Sequence, residues 1–331
     1  MKAMIYEPNY LGHYLTYVRH MIPALAGLVD EIVVVTSREA VQSREFAVQL
    51  TDLAHSFTLI PTLSLSETKK MGMYRGGGAR AEALLQAVSQ VGPDALFLPS
   101  VDALGQFIGL HAFLGSARPL RRIHTEALSH RINAAYSLGK PVARIRQQFS
   151  LNAYGWMPWD RFFVVDLNAY EYLHRTGRGP GKRTILIPDP VEAVADCSPA
   201  AARRSLELPE DGRIIGTLGH MRRQKGVDLL MEAFSRARLS KTDRLLMVGR
   251  FPEEERRERD RRYAPLIRSG RMLFIDRFLS TSEMASAFLA MDVVAVPYRP
   301  FAGLSSIALR GALANRYLLG SDFGWIGSMT D

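Results

Sequence analysis

Residues 214–226, IIGTLGHMRRQKG, hold the densest chemistry of the chain. The apolar pair Ile214–Ile215 runs into glycines at 216 and 219. Arg222, Arg223 and Lys225 follow, and then an amphipathic stretch, VDLLMEAF, begins. A strand that stops at a glycine-rich turn and enters a helix presents unpaired backbone N–H groups at the positive end of the helix dipole. Guanidinium and ammonium groups beside those N–H groups suit a diphosphate. Taken alone, the same residues also fit an ordinary βα turn with solvated charges.

The elements that must position such a site alternate along the chain. Residues 1–8 read as a short buried strand, and Gly12 lies in the loop after it. A helix with Leu15, Val18, Ile22 and Leu25 on one face follows. EIVVVTS (31–37), DALFLPS (94–100), LRRIHTE (120–126), RFFVVDL (161–167) and TILIPDP (184–190) read as further strands, with helical patterns between most of them. Three consecutive valines at 33–35 predict burial on both faces of a parallel sheet. The segment 191–212, rich in Pro, Ala and acidic residues, predicts a linker with a short helix, SPAAARRSLEL. A second alternation then runs through RIIGTLG, RLLMVGR, RMLFIDRF, DVVAVPY and YLLGSDF, with helices at 226–238, 282–290 and 304–315. The pattern predicts an α/β protein of two doubly wound domains, 1–190 and 213–331, joined through 191–212 and facing a shared cleft. The mixed-charge run 253–262 reads as a solvated helix face.

Composition narrows the class. At 331 residues the chain suits two domains; 47% of residues are hydrophobic and 23% charged, as in ordinary globular proteins. A single cysteine, Cys197, excludes an intramolecular disulfide and a cysteine-built zinc site. No apolar run reaches the ~18 residues of a spanning helix, and the start, MKAMIYEPNY, enters a strand pattern directly, so no signal peptide is expected. The net charge of +9 suits an anionic partner: nucleic acid, a membrane surface or a phosphorylated small molecule. The sequence carries no nucleic-acid-binding signature, and nucleic acid is set aside.

Several ordered pieces resemble the retaining GT-B glycosyltransferases of family 4, the glycosyl transferases group 1. GTLGHMRRQKGVDLLMEAF is similar to the family's strand–Gly–Arg–x4–Lys–Gly–helix element. LLMVGR, MLFIDRFLSTSEMASAFLAMDVVAVPY and SSIALRGALANRYLLGSDFG follow in the family's order. LGHYLTYV, RIHTE, DRFFVVDLNAYEYLHR and ILIPDPVEA echo it in the N-terminal half. The resemblance implies two Rossmann-like domains and transfer of a sugar from a UDP- or GDP-sugar to an acceptor hydroxyl. It implies retention, with no metal and no cofactor beyond the nucleotide sugar, in a cytoplasmic protein. The acceptor, whether glycan, lipid or small molecule, is not readable.

The resemblance also implies roles residue by residue. Lys225 falls on the donor-phosphate lysine, where an ammonium offsets the charge of the departing diphosphate. His220 stands where the family has arginine, so Arg222 or Arg223 would supply the guanidinium. Arg250 follows Gly249 at a strand end and would contact the nucleotide. Arg277 and Phe278 would flank the base, with a core position open to Phe278. The family's two glutamates fall on Ala302 and Arg310, neither acidic. What remains is the helix start Gly303-Leu304-Ser305-Ser306, suited to a phosphate or sugar oxygen or to plain N-capping by serine. Arg310, one to two turns on, would meet phosphate or face solvent.

In the N-terminal half, His124 matches the family's cleft histidine and is the expected catalytic residue; a neutral imidazole there donates to one sugar hydroxyl and accepts from another group. Gly12 and His13 would touch the donor phosphate or the acceptor. Glu7 and Asp102, near strand ends, are weaker candidates. The missing glutamates and the chain's end at residue 331 leave two alternatives: a non-catalytic GT-B-like binding module with an incomplete C-terminal domain, and a sugar-nucleotide epimerase. Basic residues across 118–148, followed by Trp156, Met157 and Trp159, fit either a peripheral membrane contact or a solvated helix pair.

Overall fold

The computed structural model of the protein describes residues 1–136, 138–191, 197–277 and 279–330. The chain divides into two compact units, Met1–Pro188 and Asp189–Asp331. The first holds seven strands: β1 Lys2–Tyr6, β2 Glu31–Thr36, β3 Thr58–Pro61, β4 Ala95–Leu98, β5 His124–Ser129, β6 Arg161–Val164 and β7 Thr184–Leu186. They form one sheet in the order β3-β2-β1-β4-β5-β6-β7. The second holds β8 Ile214–Leu218, β9 Arg244–Val248, β10 Met272–Ile275, β11 Val293–Val296 and β12 Tyr317–Gly320, in the order β10-β9-β8-β11-β12. Neighbouring strands in both sheets are parallel.

The valine run explains the first sheet. Ile5, Ile32 and Val34 join one apolar cluster, and Tyr6, Val33 and Val35 join another. Side chains alternate along a strand, so two clusters on alternate residues mean that both sheet faces are covered. The second unit repeats this, with Leu246, Val248, Val294 and Val296 on one side and Leu245, Met247 and Ala295 on the other. Each fully buried aliphatic side chain contributes about 1.5–3 kcal/mol of transfer free energy.

Four local expectations change. β3 is an edge strand whose Thr58–Pro61 side chains are half-buried or exposed, so its sequence lacks a strong apolar signal. β5 starts at His124 and runs to Ser129, because 118–122 form a 3-10 turn and the buried Ala127–Ser129 continue the strand. The short helix of the connecting segment is Pro199–Ser205, capped by Ser198. It is built into the second unit: Arg203, 7% exposed, donates to the carbonyls of Ala290, Glu210 and Gly212 and to Asp292. The charged run forms the helix Glu253–Arg262, but not all of it is solvated. Arg259 is buried, with its guanidinium 4.5 and 4.1 Å from the ring centres of Phe251 and Phe274. Among the described residues, no helix is long and apolar enough to cross a membrane.

In each sheet the chain starts near the middle and winds both ways. The strand order reverses between β1 and β4 in the first unit and between β8 and β11 in the second. Crevices outside the carboxyl ends of strands at such points are where doubly wound sheets bind ligands.

Candidate functional site

In the second unit, the loops after β8 and β11 build one polar cluster. β8 ends at Leu218, and the chain passes Gly219 at φ +110° into a 3-10 turn, Arg223–Lys225. Gly226 follows at φ +65°, and a Cβ there would lie 1.8 Å from the Pro297 carbonyl oxygen. Only glycine permits this approach of the two loops. Arg299 holds them together: it pairs with both carboxylate oxygens of Asp228, at 2.8 and 2.7 Å, and donates to the Arg223 carbonyl. The Gln224 side chain bonds the Arg299 and Pro300 carbonyls.

The clamp sets Lys225 against Tyr298. The ammonium donates to the Tyr298 hydroxyl at 2.6 Å and lies 4.2 Å from its ring centre. Ser305 also donates to that hydroxyl, at 3.2 Å, while accepting from the Ala308 N–H as cap of the helix Ser306–Leu313. Tyr298 therefore accepts twice and keeps its own O–H to donate. The bonds from Lys225 and Ser305 hold Tyr298 in place and leave its O–H as the donor of the cluster.

Both arginines are exposed and border different recesses, each of about 390 Å³: Arg222 with His220 and Arg250, and Arg223 with Asp228 and Arg259, its Nε 3.8 Å from Asp228. His220 is held below the ordinary histidine range by burial, then by the charges of Arg222, Lys225 and Arg250. A neutral histidine among three cations marks a positive field. Arg277 lies elsewhere, paired with Glu283 at 2.6 Å. Phe278 lies outside the described residues. Gly303, at φ +114°, and Leu304 lead into the Ser305 cap, and Ser306 is exposed at the first turn. Arg310 is half-buried with Nη1 3.5 Å from the Met284 sulfur, and Ala302 is buried.

In the first unit His124 is displaced from its expected place. It is the first residue of β5, paired with Ala95, at the amino edge of the sheet. Its Nε2 lies 2.9 Å from Glu126, and Nδ1 3.7 Å from Asp160. The carboxyl end of β5 carries His130 instead. His130 is buried and donates from Nε2 to the Pro99 carbonyl at 3.0 Å, which assigns the proton to Nε2. Its ring lies 4.8 Å from that of His13, beside Tyr14 and Tyr17. His13 precedes the helix Tyr14–Ala26. Burial, then the nearby His130 and Arg131, push it down to about 4. Gly12, at φ +96°, turns the chain into this cluster.

Asp102 fixes the loop after β5: its Oδ1 accepts from Ser129 Oγ at 2.6 Å and from the backbone N–H groups of His130 and Arg131. Glu7, at the end of β1, is fully buried, and burial raises its carboxyl to about 8. Sequence reasoning did not single out Tyr298, Arg299, Asp228 or His130. The signal for Tyr298 was the strand end VVAVPY; for His130 it was the apolar ALS that prolongs β5.

Two parallel α/β units with polar clusters at both switch points define a class, the GT-B fold. Solved structures bear this out over essentially the whole chain. HepE of Anabaena in complex with UDP superposes with a TM-score of 0.69 at 12% identity, covering 100% of this chain and 83% of that one. Sucrose-phosphate synthase of Thermosynechococcus elongatus gives 0.69 at 17% identity, over 98% and 82%. The catalytic domain of starch synthase IV of Arabidopsis thaliana, bound to ADP and acarbose, gives 0.68 at 12%, over 99% and 84%. No curated protein matches the chain. Residues 212–328, within the second unit, match the family described as Glycosyl transferases group 1.

Proposed function

We propose that the protein is a glycosyltransferase that moves a sugar from a UDP- or GDP-sugar to an acceptor hydroxyl, with retention and without a metal or cofactor, in the cytoplasm. The observation that carries the reading is Lys225, set against Tyr298 at the β8/β11 switch point inside the matched domain. The ammonium and the Tyr298 O–H stabilise the departing diphosphate, Arg222 and Arg250 add to the field, and the leaving phosphate takes the acceptor proton. The neighbour in complex with UDP supports a nucleotide donor.

The test is thermal stabilisation by UDP, GDP, ADP and their sugars, for wild type and Lys225→Ala. A ligand that binds the native state raises its apparent stability. A shift selective for one nucleotide and lost in the variant is expected; no shift with any of them defeats the reading. Retention is checked by the anomeric configuration of the product, and metal independence by turnover in EDTA.

A second reading has its own observation: Ala302 and Arg310 stand where carboxylates are expected, as in a binding module without turnover. Nucleotide binding without release of free nucleotide selects that reading, and interconversion of the sugar on its nucleotide selects an epimerase.

A peripheral membrane contact belongs to the same proposal. Trp159 and Met157 are buried, but Val142, Ile145 and Phe149 on the helix Pro141–Trp156 are exposed, as are Phe113 and Leu114 at the end of the helix Gly105–Phe113, and the Trp156 ring touches those of Phe113 and Phe149. Between 103 and 159 the chain has seven basic residues and one acid, Glu126, a net of +6. Apolar stripes flanked by cations suit an anionic bilayer surface. Salt-sensitive sedimentation with phosphatidylglycerol vesicles, lost in Val142→Asp/Ile145→Asp, is expected; no sedimentation removes this contact.

A further inference from the structure

The loop after β8 is fixed on two sides. Gly226 lets it touch the exit of β11, and a second glycine contact lets it touch the exit of β9. Gly249, at φ +131°, would place a Cβ 2.0 Å from the Gly219 carbonyl oxygen. The Gly219 N–H donates to the Val248 carbonyl at 2.9 Å, and the Met221 N–H to the Arg250 carbonyl at 3.1 Å. His220 lies between these two bonds, so its backbone is pinned against the exit of β9. Its side chain borders the recess of about 390 Å³ that it shares with Arg222, Arg250 and the start of the helix Glu253–Arg262.

The charges around the imidazole are lopsided. Arg222 and Lys225 act on it from its own loop and Arg250 from the loop after β9, and after burial all three oppose a proton on the ring. The helix Glu253–Arg262 brings one acid and one base to the recess, Glu253 and Arg256. Glu253 is neutralised within its own helix: Oε1 lies 3.0 Å from Arg257 and Oε2 3.6 Å from Arg256. Arg256 in turn meets Asp276 at 3.1 Å.

An anion held by the same cations reverses this balance. Its negative charge favours the protonated ring, and the protonated ring offers it a charge-assisted hydrogen bond. An arginine at position 220 would carry its charge at any working pH, whereas a histidine carries it only when the surroundings allow.

From this arrangement we infer that His220 takes up a proton from solvent as the diphosphate of a nucleotide sugar binds, and donates from the charged ring to a phosphate oxygen, so that the loop after β8 grips its donor more tightly as pH falls. The inference rests on the donor site proposed above and adds its regulation by protons. The sign follows from linkage. At high pH the ring is neutral in both the free and the bound protein, and affinity does not change with pH. As pH falls through the bound-state value, binding takes up a proton and affinity rises. Once the free protein is protonated too, the rise stops.

The experiment is calorimetric titration of the full chain with UDP-glucose, GDP-mannose and ADP-glucose at about pH 5.5 and about pH 8. None of these diphosphate diesters has a group that titrates between the two values. At least one is expected to bind about 10-fold more tightly at the lower pH, the factor for one unit of difference between the free and bound values. Binding should draw a fraction of a proton from solution, counted in wild type alone from the heats in buffers of different ionisation enthalpy. His220→Arg should bind at the higher pH about as tightly as wild type does at the lower, with the slope gone. His220→Gln, checked for a wild-type melt, should bind weakly at both. The inference is overturned if wild type binds equally at the two values without proton uptake, or if His220→Gln keeps the wild-type slope. Binding without a slope defeats this inference alone, whereas no binding of any nucleotide sugar at either pH defeats the donor site and this inference together.

Discussion

At the scale of single residues, the Tyr298 hydroxyl organises the second unit's cluster, because Lys225 and Ser305 both donate to it. Tyr298→Phe removes that acceptor and leaves a half-buried ammonium to find another. A loss of about 1–2 kcal/mol in urea unfolding is expected, together with a weaker nucleotide-induced rise in melting temperature. Unchanged nucleotide binding in this variant would separate Tyr298 from the donor site. The two histidines of the 124–130 stretch make opposite predictions. His124 sits among Glu126 and Asp160 at the amino edge of the sheet, so His124→Ala should leave turnover near wild type. His130→Ala empties a buried position beside His13 and should lower it, and steady-state rates of the two variants decide the matter.

Glu7 makes a pH prediction. Its carboxyl is raised from 4.5 to about 8 by burial, opposed by bonds from Asn9 and reinforced by Asp102. Below the unfolded value both states hold the proton and no penalty exists. As pH rises through the window from 4.5 to about 8, the unfolded chain releases its proton first, and native stability falls. Glu7→Gln keeps an acceptor for Asn9 and removes the titration. It should be more stable than wild type by on the order of 2–3 kcal/mol at pH 7, with the advantage vanishing near pH 4. Denaturant unfolding at both values measures this; an equal difference at the two would rule out a raised carboxyl.

At the scale of elements, the loop after β8 works because Gly226 lets it touch the exit of β11. A methyl group there would meet the Pro297 carbonyl at 1.8 Å in a left-handed backbone. Gly226→Ala should cost about 2–4 kcal/mol, from strain and the displaced loop together. It should reduce nucleotide binding more than an alanine at exposed Gly27, where nothing lies within 4 Å. Element types were largely legible because strand cores such as 33–35 and 245–247 are continuous apolar runs and the helices between them carry a 3.6-residue stripe. Boundaries and edges were less so. β3 is an edge strand with half its side chains in solvent, and β5 could not be framed from LRRIHTE, because what continues a strand is its pairing with β4 and β6.

At the scale of the molecule, the apolar clusters fall within Met1–Pro188 or within Asp189–Asp331. Each unit has both sheet faces covered by its own helices, the condition for folding alone. The fragment 189–331, which includes the Arg203 anchor, is expected to melt cooperatively and to be stabilised by the nucleotide that stabilises the whole chain. A fragment that is folded yet indifferent to nucleotide would place essential donor contacts in the first unit.

The alternation of strands and helices, the division into two units and the place of Lys225 in the loop after β8 were all determined by local sequence. Period, glycine placement and charge act over a few residues and can be read there. The tertiary structure alone decided which side chains share a site. It brought Tyr298 and Ser305 to Lys225 across 73 and 80 positions of chain, put Arg222 and Arg223 at different recesses, and set His124 at the amino edge of the sheet with His130 just past the carboxyl end of β5. The physical reason is that a parallel sheet gathers the carboxyl ends of sequence-distant strands at one edge, and a shift of strand boundary by a few residues moves a side chain from that edge to the other.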